Sequence, residues 1–316
     1  MTSGPSFRVS RPVRACLSGE DLDWVGGRSV CVALDLLTTV ESNESSDAER
    51  AGNTALREWT TGIWSFMGER IPGLAPDPPA VRVSSEAPTA SGLSSSTALI
   101  LALFEGYLAA VPTAPPVPLR VLVEWAYEFE LAICNGGGMD QLAIALGGTT
   151  LFLGRATGLP EVLDRADFPA EWSFIVVDSG TPKSTPDHIR SVRAQRASGD
   201  RVLAEYVARS DEASVLVWEA IRARHLTALA DAMTAAHRAM RDLQNMSTPW
   251  LEHLRALAHA TVGLPLKVSG AGGGGALVGV CAEADAPVVA ESLRAAYRGA
   301  VPGVQVIVAG SVASLS

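Results

Sequence analysis

The stretch Pro88-Thr89-Ala90-Ser91-Gly92-Leu93-Ser94-Ser95-Ser96-Thr97 decides how this chain is read. Small polar residues and one glycine run straight into a strongly apolar segment, which reads as a helix over Ser95 to Ala110. The first-turn amides of a helix have no intrahelical partner and sit at the positive end of the helix dipole. Small side chains let a phosphate reach those amides, so the stretch has the form of an anion site. A buried helix needs one serine to cap it, whereas three follow Gly92-Leu93 here. The GxxxxGK[ST] pattern is absent, which excludes a P-loop.

Three other segments carry polar chemistry. Lys267-Val268-Ser269-Gly270-Ala271-Gly272-Gly273-Gly274-Gly275 lies between two expected strands and is rich in glycine, which is costly in chain entropy. A bulged hairpin and a close approach of backbone to a ligand both account for it. Arg14 to Trp24 alternates charged residues (Arg14, Glu20, Asp21, Asp23) with small apolar ones, and its plain reading is a solvated loop. Glu124 and Glu128 sit one turn apart in an apolar helix, and Asp140 follows Gly136-Gly137-Gly138. Carboxylates in such settings are costly unless paired or metal-bound.

Working outward, the spacing predicts strands at Arg28–Leu37, Val81–Ser85, Thr149–Leu153, Ser173–Val177, Pro265–Val268, Ala276–Val280 and Val304–Val308. It predicts helices at Asp47–Met67, Leu119–Ile133, Met139–Leu146, Pro186–Arg209, Ala213–Met240, Pro249–Ala260 and Ala286–Tyr297. Gly154–Ala170 reads as turns. This mixture is α+β rather than a regular βαβ wind, with a break near residues 155–175. Trp59 and Trp64 read as core.

Composition narrows the function classes. The chain has 316 residues, 47% apolar and 19% charged, long enough for a full core and most simply two domains. Its net charge of −9 and lack of a Lys/Arg-dense run disfavour nucleic-acid binding. The four cysteines form no paired spacing and read as reduced thiols. No secretory signal is recognised at Met1–Ser18, and the longest apolar run, Ala98–Val111, is interrupted by Glu105 and too short to span a bilayer. The expectation is a soluble cytoplasmic protein with no membrane partner. The five histidines show no HExxH or clustered spacing, so a zinc hydrolase is disfavoured.

Together the polar segments resemble one family, the GHMP kinases, over about residues 10 to 282. Pro88–Thr97 is similar to that family's phosphate motif, Pro-x-x-x-Gly-Leu-[Gly/Ser]-Ser-Ser-[Ala/Ser], and Lys267–Gly275 to its C-terminal glycine motif. The galactokinase-like sugar kinases are the nearest branch. Gly138-Met139-Asp140-Gln141 resembles their Gly-x-Met-Asp-Gln, and Gly19-Glu20-Asp21-Leu22-Asp23-Trp24 stands where they have Gly-Glu-His-Thr-Asp-Tyr. Asp21 and Trp24 depart from that signature, and the glycine motif reads more like that of mevalonate and heptose kinases.

The resemblance implies a two-domain fold: an N-terminal ribosomal-protein-S5-domain-2-like half (1–170) and a C-terminal ferredoxin-like half (171–316). It implies ATP and Mg²⁺ as cofactors and transfer of the γ-phosphate to a sugar hydroxyl, the anomeric one by analogy with galactokinase. Asp140 would be the proton acceptor and Arg14 the cation beside the transferred phosphate. Pro88, Gly92, Leu93, Ser94, Ser95, Ser96, Gly272 and Gly273 would hold the nucleotide. Glu20, Asp21, Asp23 and Gly138 would hold the substrate, and Ser96 and Glu128 the metal. Glu130 competes with Glu128, since both stand near the family spacing. Any phosphate already on the sugar would lie near Lys183, Arg190 or Arg193. A mevalonate- or homoserine-type alcohol kinase and a catalytically silent sugar/ATP sensor are the alternatives. The oligomeric state stays open, a homodimer included.

Overall fold

The computed structural model describes residues 6–42, 54–111, 114, 116–134, 136–182, 185–300 and 303–315. Strands β1 (Arg8–Ser18), β2 (Arg28–Ser42), β3 (Val81–Ser85), β4 (Thr149–Leu153) and β5 (Glu161–Ala166) form one antiparallel sheet. β2 is its spine. On one edge it pairs with β1, and on the other its first half pairs with β4 and its second half with β3. β5 joins beyond β4.

A second antiparallel sheet has the order β7-β8-β6-β9, from β6 (Trp172–Asp178), β7 (Lys267–Val268), β8 (Ala276–Ala282) and β9 (Gln305–Ala309). This is the ferredoxin-like strand order, with extra helices inserted between β6 and β7. The helices are α1 (Leu22–Val25), α2 (Thr54–Gly68), α3 (Ser95–Ala109), α4 (Leu119–Cys134), α5 (Met139–Leu146), α6 (Thr185–Ser198), α7 (Arg201–Arg222), α8 (Leu226–Gln244), α9 (Pro249–Val262) and α10 (Ala286–Ala300).

α3 is apolar on all sides because it is enclosed on all sides: Ala98, Leu101, Phe104 and Tyr107 are all buried. α2 and α4 flank it through edge-on aromatic contacts, α2 by Phe66 to Phe104 at 5.6 Å and Trp64 to Tyr107 at 5.2 Å, α4 by Phe129 to Phe104 at 6.2 Å. Trp64 is a core residue, as expected, and Trp59 packs on Phe129.

The two halves share this core. Val217, Trp218 and Ile221 of α7 belong to the same buried cluster as Val32 and Leu34 of β2. Beyond β9 the chain returns to the first sheet, where Val312 N donates to Ala33 O (3.0 Å) and Gly148 N to Val312 O (2.9 Å).

Three departures from the expected elements have physical causes. Arg8–Ser18 is a strand, buried from Pro12 onward, and Arg14–Trp24 is therefore not a solvated loop. Glu161–Ala166 is an edge strand rather than turns. The expected helices Pro186–Arg209 and Ala213–Met240 are three helices. Gly199 (φ +66°) and the N-cap Asp200, accepting from Val202 N and Leu203 N, make the first break, and His225 caps α8 after the second. The expected helix start at Asp47 lies outside the described residues. Among the described residues no helix is long and apolar enough to cross a membrane.

Candidate active site

The phosphate-loop stretch enters α3 through two left-handed residues, Gly92 (φ +85°) and Ser94 (φ +60°). Ser94 occupies the N-cap position but does not cap, because its hydroxyl donates to Asp140 Oδ2. The first-turn amides of α3 are thus left without a side-chain cap. Asp140 itself stands in the first turn of α5, where the helix dipole favours a carboxylate.

β1 delivers Arg14 to the same point. Its backbone N–H donates to Leu93 O (3.0 Å) and its Nη1 to Gly92 O (2.6 Å). Its Nε and Nη2 donate to the two Asp140 oxygens at 2.6 and 2.7 Å, the bidentate geometry that guanidinium and carboxylate share. The Arg14 side chain is 4% exposed. Burial works against its charge, but Asp140 outweighs burial and holds the guanidinium above its ordinary value. Leu93 is fully buried, so its side chain anchors the loop in the core.

Of the two competing glutamates, Glu130 is the one brought to this cluster. It accepts from Thr97 Oγ1 (3.0 and 3.1 Å) and from Gln141 Nε2 (2.7 Å). Glu128, the expected metal carboxylate, points away and pairs with Arg70 at 2.8 Å on the surface. The reason is helix phase: two residues along α4 turn a side chain by about 200°. Glu124 is likewise outward, near Arg120. Ser96 is exposed at the start of α3.

The segment 19–24 forms the floor of a cavity of about 100 Å³, lined also by Arg14, Glu130, Gly136, Gly137, Asp140, Gln141, Ile189, Gly270 and Ala271. Glu20 is committed by one oxygen to a buried ion pair with Lys267, whose Nζ also donates to Val268 O (2.7 Å) and Cys16 O (3.2 Å). Its other oxygen, Oε2, is buried with no hydrogen-bond partner among the described residues. Asp21, in a left-handed conformation, meets His188 Nε2 of α6 at 2.6 Å.

Asp23 is buried and accepts from Met139 N at 3.2 Å. Burial first, then Asp140 and Asp21, push it up to about 7. A Cβ on Gly137 would overlap the Asp23 carboxylate, so this member of the glycine triplet is fixed by close approach. Gly138, expected to touch substrate, instead packs near Leu159 and Tyr127 and does not line the cavity.

The C-terminal glycine motif docks on the phosphate loop from behind. Ala276 N donates to Ser91 O at 2.6 Å, and Gly275 N to Thr181 O at 2.8 Å. Gly272 and Gly273 lie against Met246, Gly273 N donating to Met246 O at 2.8 Å. The residues of this motif that line the cavity are Gly270 and Ala271; Gly272 and Gly273, expected at the nucleotide, are not among its lining residues. Pro88 is partly buried ahead of the loop. Arg190 is a surface residue paired with Asp187, and Arg193 lies over the Trp24 ring at 4.8 Å. Lys183 lies outside the described residues.

Sequence reasoning missed Lys267, His188 and Gly137 as parts of this site. A lysine inside an apolar strand, just before the glycine run, was the available signal for Lys267. For Gly137 the signal was the glycine triplet ahead of Asp140, whose close partner Asp23 is distant in sequence; His188 carried none.

The family model described as GHMP kinases N terminal domain matches residues 60–148, and that described as GHMP kinases C terminal matches residues 218–299. Among solved structures, L. major mevalonate kinase in complex with R-mevalonate is similar at 16% identity and a TM-score of 0.78, over 99% of this chain and 98% of that one. Lactococcus lactis galactokinase complexed with galactose is similar at 18% identity and 0.75, over 99% and 95%. Streptococcus pneumoniae phosphomevalonate kinase in complex with phosphomevalonate and AMPPNP is similar at 14% identity and 0.74, over 97% and 100%. At these identities the likeness is one of fold. No curated protein matches the sequence.

Proposed function

Because this chain belongs to the GHMP kinase family, we propose that it is an ATP-dependent kinase transferring the γ-phosphate to a hydroxyl of a sugar or related polyol, the anomeric hydroxyl in the first instance. The observation that carries this reading is the Arg14–Asp140–Ser94 cluster set at the uncapped N-terminus of α3, on the rim of an acidic cavity.

Phosphoryl transfer has a loose transition state, so a protein catalyses it by positioning and by charge. The amides of Gly92, Ser94, Ser95 and Ser96 suit the phosphates, being uncapped and flanked by small side chains. Arg14 lies within reach of the same anions. Ser96 and Glu130 offer the hard oxygen donors that suit Mg²⁺. Held by those oxygens, the ion would supply positive charge against the developing charge of the transferred phosphate. Asp140, kept oriented by both prongs of Arg14 and by Ser94, would orient the acceptor hydroxyl and take its proton.

The acceptor class follows from the cavity floor. Glu20, Asp21 and Asp23 are acceptors when ionised, which suits donor hydroxyls and repels a carboxylate-bearing alcohol such as mevalonate. The test is an ADP-release screen with Mg-ATP over free hexoses, heptoses, sugar phosphates, mevalonate and homoserine. Turnover of at least one sugar, with mevalonate silent, is expected. Efficient turnover of mevalonate or homoserine and of no sugar would overturn the acceptor class.

A further inference from the structure

The carboxylates lining the cavity differ in how their charge is met. Asp140 has the guanidinium of Arg14 and Glu20 the ammonium of Lys267, while Asp21 is hydrogen-bonded to the ring Nε2 of His188 at 2.6 Å. Glu130 has two neutral donors, Thr97 and Gln141, and stands on the metal side of the proposed kinase site. Asp23 is the exception. Its side chain accepts one backbone N–H, from Met139, and enters no ion pair among the described residues. Arg14, a nearby cation, is committed to Asp140 and Gly92 O.

A second observation is independent of Asp23. Glu20 lines the same cavity, and its Oε2 is buried with no hydrogen-bond partner among the described residues. A buried acceptor left unmet is destabilising unless a ligand supplies the donor. The cavity therefore leaves one buried acceptor without a donor and one buried carboxylate without an ion-pair partner. A substrate hydroxyl supplies the donor and leaves the charge unmet. A carboxylate or phosphate supplies neither. An ammonium supplies both, with three N–H donors to share.

We propose that the acceptor substrate is an amino-substituted polyol, an amino sugar or aminocyclitol, whose ammonium sits against Asp23 with Glu20 Oε2 as a further acceptor. This rests on the kinase reading above. The elevation of Asp23 to about 7 by burial and by its acidic neighbours agrees with a carboxylate that lacks its cation in the free protein.

The test uses matched substrates, so that everything but the charge is held nearly constant. Rates of ADP release are measured with Mg-ATP at pH 8 for glucosamine, glucose and N-acetylglucosamine, for the galacto series, and for scyllo-inosamine against scyllo-inositol. A hydrogen bond to a charged group exceeds a neutral one by enough to give about a tenfold preference. The amine of at least one series is expected to exceed its neutral and acetylated partners in kcat/KM by about that factor or more. Asp23→Asn should lower kcat/KM for that amine about tenfold more than for its neutral partner.

The same comparison by calorimetry, with Mg-AMPPNP present and no turnover required, reads the preference in Kd and does not depend on the variant folding. Equal or better kcat/KM and Kd for the neutral sugars in every series would overturn the ammonium while leaving the kinase reading intact. Turnover of mevalonate with no binding of any sugar or cyclitol would overturn both.

Discussion

Replacing Lys267 by Met removes the cation from a pair whose side chains are 1% and 3% exposed. Glu20 then keeps a buried charge with no counter-ion, and the carbonyls of Val268 and Cys16 lose a donor. Removing one partner of a buried pair costs about 3–5 kcal/mol, because the surviving charge is uncompensated. Adding Glu20→Gln takes that charge away and should return about 2 kcal/mol or more, leaving mainly the cost of the unpaired carbonyls. The assay is urea unfolding of the wild type, both single variants and the double variant, followed by tryptophan fluorescence and circular dichroism with coincident transitions required. The double variant should be more stable than Lys267→Met alone, and clearly more stable than the sum of the single losses. If the double variant loses the sum of the two, within about 0.5 kcal/mol, the ion pair does not hold the 19–24 segment to β7 and the reasoning fails.

Two further outcomes are expected. Glu130→Gln should raise the Mg²⁺ concentration needed for half-maximal activity, while Glu128→Gln, facing Arg70, should leave it unchanged; a metal titration of both variants reads this directly, and the reverse pattern would move the metal side of the site. Asp23 should also make stability pH-dependent. Its native value of about 7 lies above the ordinary 3.8, so the native state holds the proton longer than the unfolded state, and stability falls as pH rises from about 4 to 7. Asp23→Asn should therefore be more stable than wild type at pH 8, by on the order of 4 kcal/mol, with the gain vanishing near pH 4. A stability difference that does not change with pH would contradict this.

The elements legible in the sequence were those whose local pattern and tertiary setting agree. α3, α5, β3 and β4 have the expected bounds to within a residue, because an enclosed helix is apolar throughout and glycine or proline punctuates the ends. β1 was opaque because Arg8, Arg11 and Arg14 make it look solvated. Each arginine has a distant carboxylate partner, Glu41, Glu105 and Asp140 respectively. No local rule shows a pairing made across the fold. β5 was hidden in the same way, since an edge strand tolerates charge.

In the site, the phosphate loop and Asp140 could be found from their own neighbours. The choice between Glu128 and Glu130 could not, because spacing to Asp140 does not fix helix phase. The link from Glu20 to Lys267 joins residues 247 positions apart and becomes visible only once the second sheet is folded against the first. The glycine motif left a bulged hairpin and a close approach open in the sequence; the fold shows close approach, and the partners approached are protein: Ser91, Thr181 and Met246.

The most direct test of the central claim is a rapid-quench measurement of phosphate transfer from ATP to the best sugar acceptor, run in parallel on the wild type and on Asp140→Asn. The predicted result is a transfer step slowed by about 10²–10⁴-fold in the variant, with the Kd for Mg-ATP within about twofold of wild type, as for the loss of a positioned proton acceptor. Transfer at the wild-type rate by a folded Asp140→Asn protein would contradict it, since the Arg14–Asp140–Ser94 cluster could not then be where the phosphoryl group moves.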